Sequence, residues 1–164
     1  MKLDLLHPAD QVCMVMERIY GYGMTTTSGG NLSIRDDEGN IWISPGGIDK
    51  GNLKPSDIVR VDSSGEVHSV HRPSLELPFH KAIYQARPDL RAILHAHPPA
   101  LISFSISGMI PDTAIIPNAR RICGEVGFAG YAIPGSEALA GNIAEIFAGG
   151  HDTVSYTHLT LPTN

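Results

Sequence analysis

The stretch Arg91-Ala-Ile-Leu-His-Ala-His-Pro-Pro99 decides how this chain is read. Ala92-Ile93-Leu94 is short and apolar, and a proline pair closes the segment, which predicts a buried strand ending at Pro98. Strand side chains alternate faces, so residues two apart point the same way. His95 and His97 therefore project together from the end of a strand, where α/β folds usually place their chemistry. Two co-facing imidazoles form half of a zinc-type site. The same spacing also suits two polar residues at a strand terminus, each hydrogen-bonded locally, and only the neighbouring motifs separate the two readings.

The 164 residues suffice for one domain with a real core and are too few for two comfortable ones. An apolar content of 42% with 18% charged residues describes an ordinary globular chain, not a disordered one. The formal charge of −5, with no basic stripe to offset it, argues against a nucleic-acid surface. No apolar run approaches membrane-spanning length, and Met1-Lys2-Leu3-Asp4 does not open a secretory signal, so no membrane partner is expected. Cys13 and Cys123 are too few and too far apart for a disulfide framework, which favours a reducing cytoplasm and predicts two buried thiols.

Val12, Val15, Met16 and Ile19 recur at helical spacing after Pro8 and predict an amphipathic helix to about residue 22. Strands are expected from Leu32 to Arg35 and from Ile41 to Ile43, joined by a hairpin turn at Asp36-Asp-Glu-Gly-Asn40. Ile58 to Val61 with the turn Ser63-Ser-Gly65 predicts another strand and hairpin. Pro78 is acceptable only in a first turn, so the next helix starts near Ser74 to Leu77 and runs to Ala86. Beyond the His strand come a helix from Pro99 to Ser107 and a stretch, 114–123, that periodicity leaves ambiguous. Gly127 to Ile133 reads as extended, and a helix follows that is capped by Ser136 and stopped at Gly149-Gly150. Early hairpins and later interleaved helices suggest a mixed sheet covered by helices in one domain. Asp152-Thr-Val154 starts like a strand, but Ser155-Tyr-Thr-His-Leu-Thr-Leu-Pro-Thr-Asn164 reads as adapter sequence. The expected organisation is thus a domain over residues 1–154, incomplete at its C-terminus, and a non-native tail over 155–164.

Glu76 falls at the start of the Ser74 helix, where the helix dipole alone would favour a carboxylate. His80 follows four residues later on the same helical face, where it can orient Glu76, ligate or simply cover surface. Lone histidines at 7, 68, 71 and 151 are expected in solvated loops. Two glycine loops, Ser28-Gly-Gly-Asn31 and Ser44-Pro-Gly-Gly47, can cradle an anion through successive backbone N–H groups, although ordinary turn chemistry explains them as well. Neither matches a nucleotide-binding fingerprint.

Together, Ser28-Gly-Gly-Asn31-Leu-Ser33, Ser44-Pro-Gly-Gly47, Arg72-Pro-Ser-Leu-Glu76 with His80, and His95-Ala-His97-Pro-Pro99 occur in an order and at separations that resemble the class II aldolase/adducin family. The resemblance covers residues 8 to 154. It implies a three-layer α/β/α sandwich on a mixed, mainly antiparallel sheet, usually assembled as a homotetramer. It implies that His95 and His97 ligate a catalytic divalent metal, typically zinc. By the same resemblance Glu76 takes the catalytic acid/base position and can itself approach the metal when substrate is absent. Ser28, Gly30, Asn31, Gly47 and Ser74 fall where the family holds a substrate phosphate. The implied activity is an aldolase-type lyase that cleaves a small hydroxy-carbonyl compound, typically a sugar phosphate, through an enediolate, with Glu76 moving the proton.

Three departures qualify this resemblance. The family's third metal histidine should follow Val154 by a few residues, and the surroundings of His158 do not match that motif. Leu75 and Gly46 stand where phosphate-handling members often carry serines. The aldolases' proton-donating tyrosine has no match near Ile115-Ile116, and Tyr131 matches a family tyrosine of unassigned role. Epimerisation, decarboxylation and dehydration therefore stay open on this scaffold, as does a non-catalytic domain like the adducin head. Retention of Glu76 with both histidines favours an enzyme.

Overall fold

The computed structural model describes residues 5–156, which divide into two compact units. His158 and the rest of the expected tail beyond Tyr156 lie outside the described residues.

The first unit comprises residues up to Leu77 together with Asp89–Pro98. Its helix α1, Pro8–Gly21, begins where expected because Pro8 occupies the first turn and the His7 ring accepts a hydrogen bond from the Ala9 N–H at 3.2 Å. Ala9, Val12, Met16 and Ile19 form its buried face and pack with Leu32 and Ile58 into one core cluster. The strands β1 (Asn31–Arg35), β2 (Ile41–Ile43), β3 (Val59–Val61), β4 (Val67–His68) and β5 (Ala92–His95) make a five-stranded antiparallel sheet ordered β4-β3-β2-β1-β5. The β1–β2 turn is built by Asp36, whose carboxylate accepts from the Asn40 N–H at 2.8 Å and from the Trp42 indole N–H at 2.8 Å.

The second unit comprises Pro78–Pro88 and the chain from Pro99 onward. It contains most of α2 (Leu77–Ala86), then α3 (Pro99–Ile106), α4 (Pro117–Cys123), β6 (Val126–Ala129), α5 (Glu137–Ala148) and β7 (Thr153–Tyr156). Strands β6 and β7 pair in parallel, with α5 as the crossover helix between them. Ser136 caps α5 by accepting from the Leu139 N–H at 3.2 Å, as its position in the sequence predicts.

The fold class is α/β with an antiparallel sheet and helices, and among the described residues parallel pairing is confined to the β6–β7 pair. Four local expectations need correction. β5 is an edge strand of its sheet, so Leu94 is 48% exposed and only Ile93 of the apolar triplet is buried. The extended stretch expected at 127–133 ends at Ala129, and the ambiguous 114–123 region forms α4, which Pro117 starts. Cys13 and Cys123 are half-buried rather than buried. His7 and His68 are exposed as expected, His7 capping α1 and meeting the Trp42 ring edge-on, but His68 lies in β4 rather than in a loop, with Nε2 2.7 Å from Asp62. Strand β7 includes Ser155 and Tyr156, the first two residues of the expected tail. Among the described residues no helix is long and apolar enough to cross a membrane.

Candidate active site

The register of the sheet assembles the site. β1 begins at Asn31 and β5 ends at His95, and these two residues are directly paired across the strands. His97 lies two residues beyond the strand end, and its backbone N–H donates to the Met24 carbonyl at 2.7 Å. The two imidazoles converge as their spacing predicts, with Nε2 atoms 2.9 Å apart and rings crossed at 76°. Gly29 makes room for this arrangement, since a Cβ there would lie 3.0 Å from the His97 Nδ1. Gly30 adopts φ +65°, and a Cβ on it would approach the His95 carbonyl oxygen to 2.9 Å. The glycine loop is thus shaped first to lie against the histidine segment.

Glu76 does not sit inside a helix. It precedes α2, and its N–H donates to the Ser74 hydroxyl at 3.3 Å. The carboxylate is buried, and its Oε2 accepts the Asn31 side-chain N–H at 2.6 Å and lies 3.3 Å from the His95 Nε2. Burial raises the Glu76 pKa above the ordinary carboxylate value, and the Asn31 hydrogen bond partly opposes that rise. A line of polar groups therefore runs Asn31, Glu76, His95, His97.

Two pairs of donors in this line have spacings that suit a shared divalent cation. Two ligand atoms each about 2.0–2.1 Å from one ion stand roughly 2.9–3.4 Å apart when the angle between them is about 90–110°. The Nε2–Nε2 and Nε2–Oε2 separations of 2.9 and 3.3 Å fall in that span. Among the described residues, the group in which three ligating atoms all lie close together is a different one, Asp62, Glu66 and His68. It is a hairpin turn in which Asp62 Oδ1 accepts the Ser64 and Glu66 N–H groups at 2.9 and 3.0 Å, so turn formation explains its geometry.

The expected phosphate residues divide. Ser28 and Gly47 are exposed on their loops, Gly30 is buried, and Ser74 is half-buried and already bonded to the Glu76 N–H. Asn31 is buried and directs its amide at Glu76, a contact between residues 45 apart that no local pattern announces. The Ser44-Pro-Gly-Gly47 loop is fixed at its base, where Ser44 is fully buried and exchanges hydrogen bonds with Leu32, and Gly46 donates to the Arg72 carbonyl at 3.0 Å. His80 belongs to the second unit and is fully buried, with its pKa pushed down to about 3 by that burial. Lys50, which the sequence did not single out, is also buried.

Comparison with known proteins places these features in a family context. The sequence model described as "Class II Aldolase and Adducin N-terminal domain" matches residues 10–158. A 3-oxo-tetronate 4-phosphate decarboxylase from Escherichia coli O6:H1 (strain CFT073) is 30% identical over 143 residues, covering 85% of this chain and 68% of that protein. A methylthioribulose-1-phosphate dehydratase from Methylococcus capsulatus is 39% identical over 94 residues, covering 56% of this chain and 46% of that protein. Among solved structures, an L-fuculose 1-phosphate aldolase superposes with a TM-score of 0.81 at 31% identity, covering 91% of this chain and 70% of that one.

Proposed function

Because this chain belongs to the class II aldolase and adducin N-terminal domain family, we propose that it is a divalent-metal-dependent carbon–carbon lyase of aldolase type. The substrate class is a small phosphorylated hydroxy-carbonyl compound. The observation that carries this reading is the buried line from Asn31 through Glu76 to the His95–His97 pair.

His95 and His97, with Glu76 adjoining, would hold the cation, and zinc suits a set of imidazole and carboxylate donors. When bound, the cation supplies Lewis acidity that draws charge from the substrate carbonyl. Glu76 moves the proton. Its Oε2 accepts the Asn31 N–H and faces His95, which leaves Oε1 as the atom that carries a proton to or from the substrate carbanion. Burial excludes water from the carboxylate and shifts it toward the protonated form needed for donation. Ser28, Gly30, Gly47 and Ser74 would hold the phosphate and so fix the reacting end.

A second reading, decarboxylation of a phosphorylated 3-oxo acid, is favoured by the 30% identity to a decarboxylase across most of the chain. It breaks a different C–C bond but leaves the same kind of carbanion for Glu76 to protonate. Homo-oligomerisation belongs to the proposal too. It is supported by exposed apolar side chains in the second unit, including Ile106, Ile115, Ile116 and Ile122. The free thiols of Cys13 and Cys123 fit a reducing cytoplasm.

The test is to screen phosphorylated ketoses and 3-oxo acids for C–C cleavage with zinc, with cobalt and with chelator. Cation-dependent cleavage that Glu76→Gln lowers by about 10²–10⁴-fold is expected. Cleavage indifferent to chelation, or full activity in Glu76→Gln, would overturn the reading.

A further inference from the structure

Lys50 opens the single turn of 3₁₀-helix Lys50–Asn52, directly after the Ser44-Pro-Gly-Gly47 loop, and is only 2% exposed. Lysine is almost never buried to that degree without a compensating partner, because an unpaired buried ammonium is costly. Its Nζ donates to the Pro45 carbonyl oxygen within that loop. Its backbone N–H donates to the Thr27 carbonyl at 2.8 Å, in the loop that leads to Ser28 and Asn31. One residue therefore joins both glycine loops through two separate donors.

The turn is held firmly against α1. A Cβ at Gly51 would lie 2.5 Å from the Tyr20 ring, so the ring packs directly on the backbone beside Lys50. The adjacent carboxylate, Asp49, is exposed and accepts from the Gly51 N–H at 3.0 Å, capping the turn. Burial lowers the Lys50 pKa and Asp49 partly opposes this, so a nearby anion would favour the charged form, and an ammonium with one neutral carbonyl acceptor retains donors for that anion.

We propose that Lys50 is a positioning residue of the phosphate site, tying the Thr25–Asn31 loop to the Ser44–Gly47 loop and placing a positive charge behind both. This rests on the reading of those loops as the phosphate cradle. Its consequence is a KM effect: Lys50 serves the binding of the phosphorylated end and not the proton transfer at Glu76.

The experiment compares the wild-type chain with Lys50→Met and Lys50→Arg, reading the Kd for inorganic phosphate and the kcat and KM for the phosphorylated substrate. Lys50→Met is expected to raise both Kd and KM by at least about tenfold with kcat within about threefold, and Lys50→Arg to recover most of the loss. A lower melting temperature with Kd and KM unchanged would show that Lys50 only stabilises the loops, and would overturn the proposal. Should Lys50→Met not fold, the Lys50 ammonium signal in ¹⁵N NMR of the wild-type chain serves instead. It should shift saturably with phosphate, and an unmoved signal, or no phosphate binding at all, overturns the inference. Phosphate binding that depends on Lys50 in a chain that cleaves no phosphorylated hydroxy-carbonyl would refute the proposed reaction and leave the Lys50 assignment standing.

Discussion

Replacing Asn31 with Ala removes the hydrogen bond that holds Glu76, a 2.6 Å contact between two buried side chains. A hydrogen bond to a charged group contributes about 1.5–3 kcal/mol, and a buried carboxylate that loses its donor also keeps its desolvation penalty. The variant should therefore be destabilised by about 1.5–3 kcal/mol, which for a chain of this size lowers the melting temperature by roughly 3–12 °C. Catalysis should fall further than stability alone explains, because Glu76 loses the partner that fixes which oxygen carries the proton. Asn31→Asp sharpens the test: the shape is nearly kept, but a second carboxylate now faces Glu76, and like charges in a buried site repel. Urea denaturation of the wild-type and variant chains, at matched metal loading, gives the two free energies. The expected order of stability is wild type, then Asn31→Ala, then Asn31→Asp. If Asn31→Asp is as stable as wild type, the Asn31–Glu76 contact does not organise the site.

Two further outcomes follow from local geometry. Gly30→Ala should cost about 1–3 kcal/mol and weaken metal binding, since the residue sits at φ +65° and its new Cβ would press on the His95 carbonyl; a melting temperature within a degree of wild type would refute this. His80 is buried with its pKa depressed to about 3, so the unfolded chain takes up a proton near the ordinary value of about 6.5 while the folded chain does not. Its contribution is favourable above that value and is lost as pH falls towards about 3, at roughly 1.4 kcal/mol per pH unit. Denaturation at pH 7 and pH 5 should show about 2 kcal/mol of acid sensitivity that His80→Phe removes, and an equal pH slope in both proteins would falsify the assignment.

The parts of the fold governed by local rules were legible in the sequence. Pro8 with Val12, Met16 and Ile19 defines α1, Asp36 to Asn40 turns the first hairpin, and Ser136 caps α5. His95 and His97 converge as their spacing suggested, although His97 lies beyond the strand end and is held there by its N–H bond to the distant Met24 carbonyl. What escaped the sequence depends on partners far along the chain. Leu94 is apolar yet exposed because β5 borders the sheet, and strand order cannot be read from one strand. The family resemblance places Asn31 at a phosphate-holding position, and no local pattern announces that its amide also reaches Glu76 across 45 residues. Lys50 looks like a surface residue in composition, and its burial follows from two loops closing over it. The hydrogen bond from the Lys50 N–H to the Thr27 carbonyl connects residues whose proximity no periodicity encodes.

Cobalt titration of the metal-free chain probes the His95–His97–Glu76 centre most directly, because cobalt ligated by imidazole has a visible absorption spectrum. One equivalent should bind with that spectrum, and His95→Ala or His97→Ala should weaken it by at least about tenfold, as loss of a first ligand requires. Asp62→Asn, which disrupts the other cluster of ligating atoms in the hairpin, should leave the titration unchanged. Binding that survives both histidine substitutions but disappears in Asp62→Asn would place the cation on the hairpin and contradict the assignment of the active site.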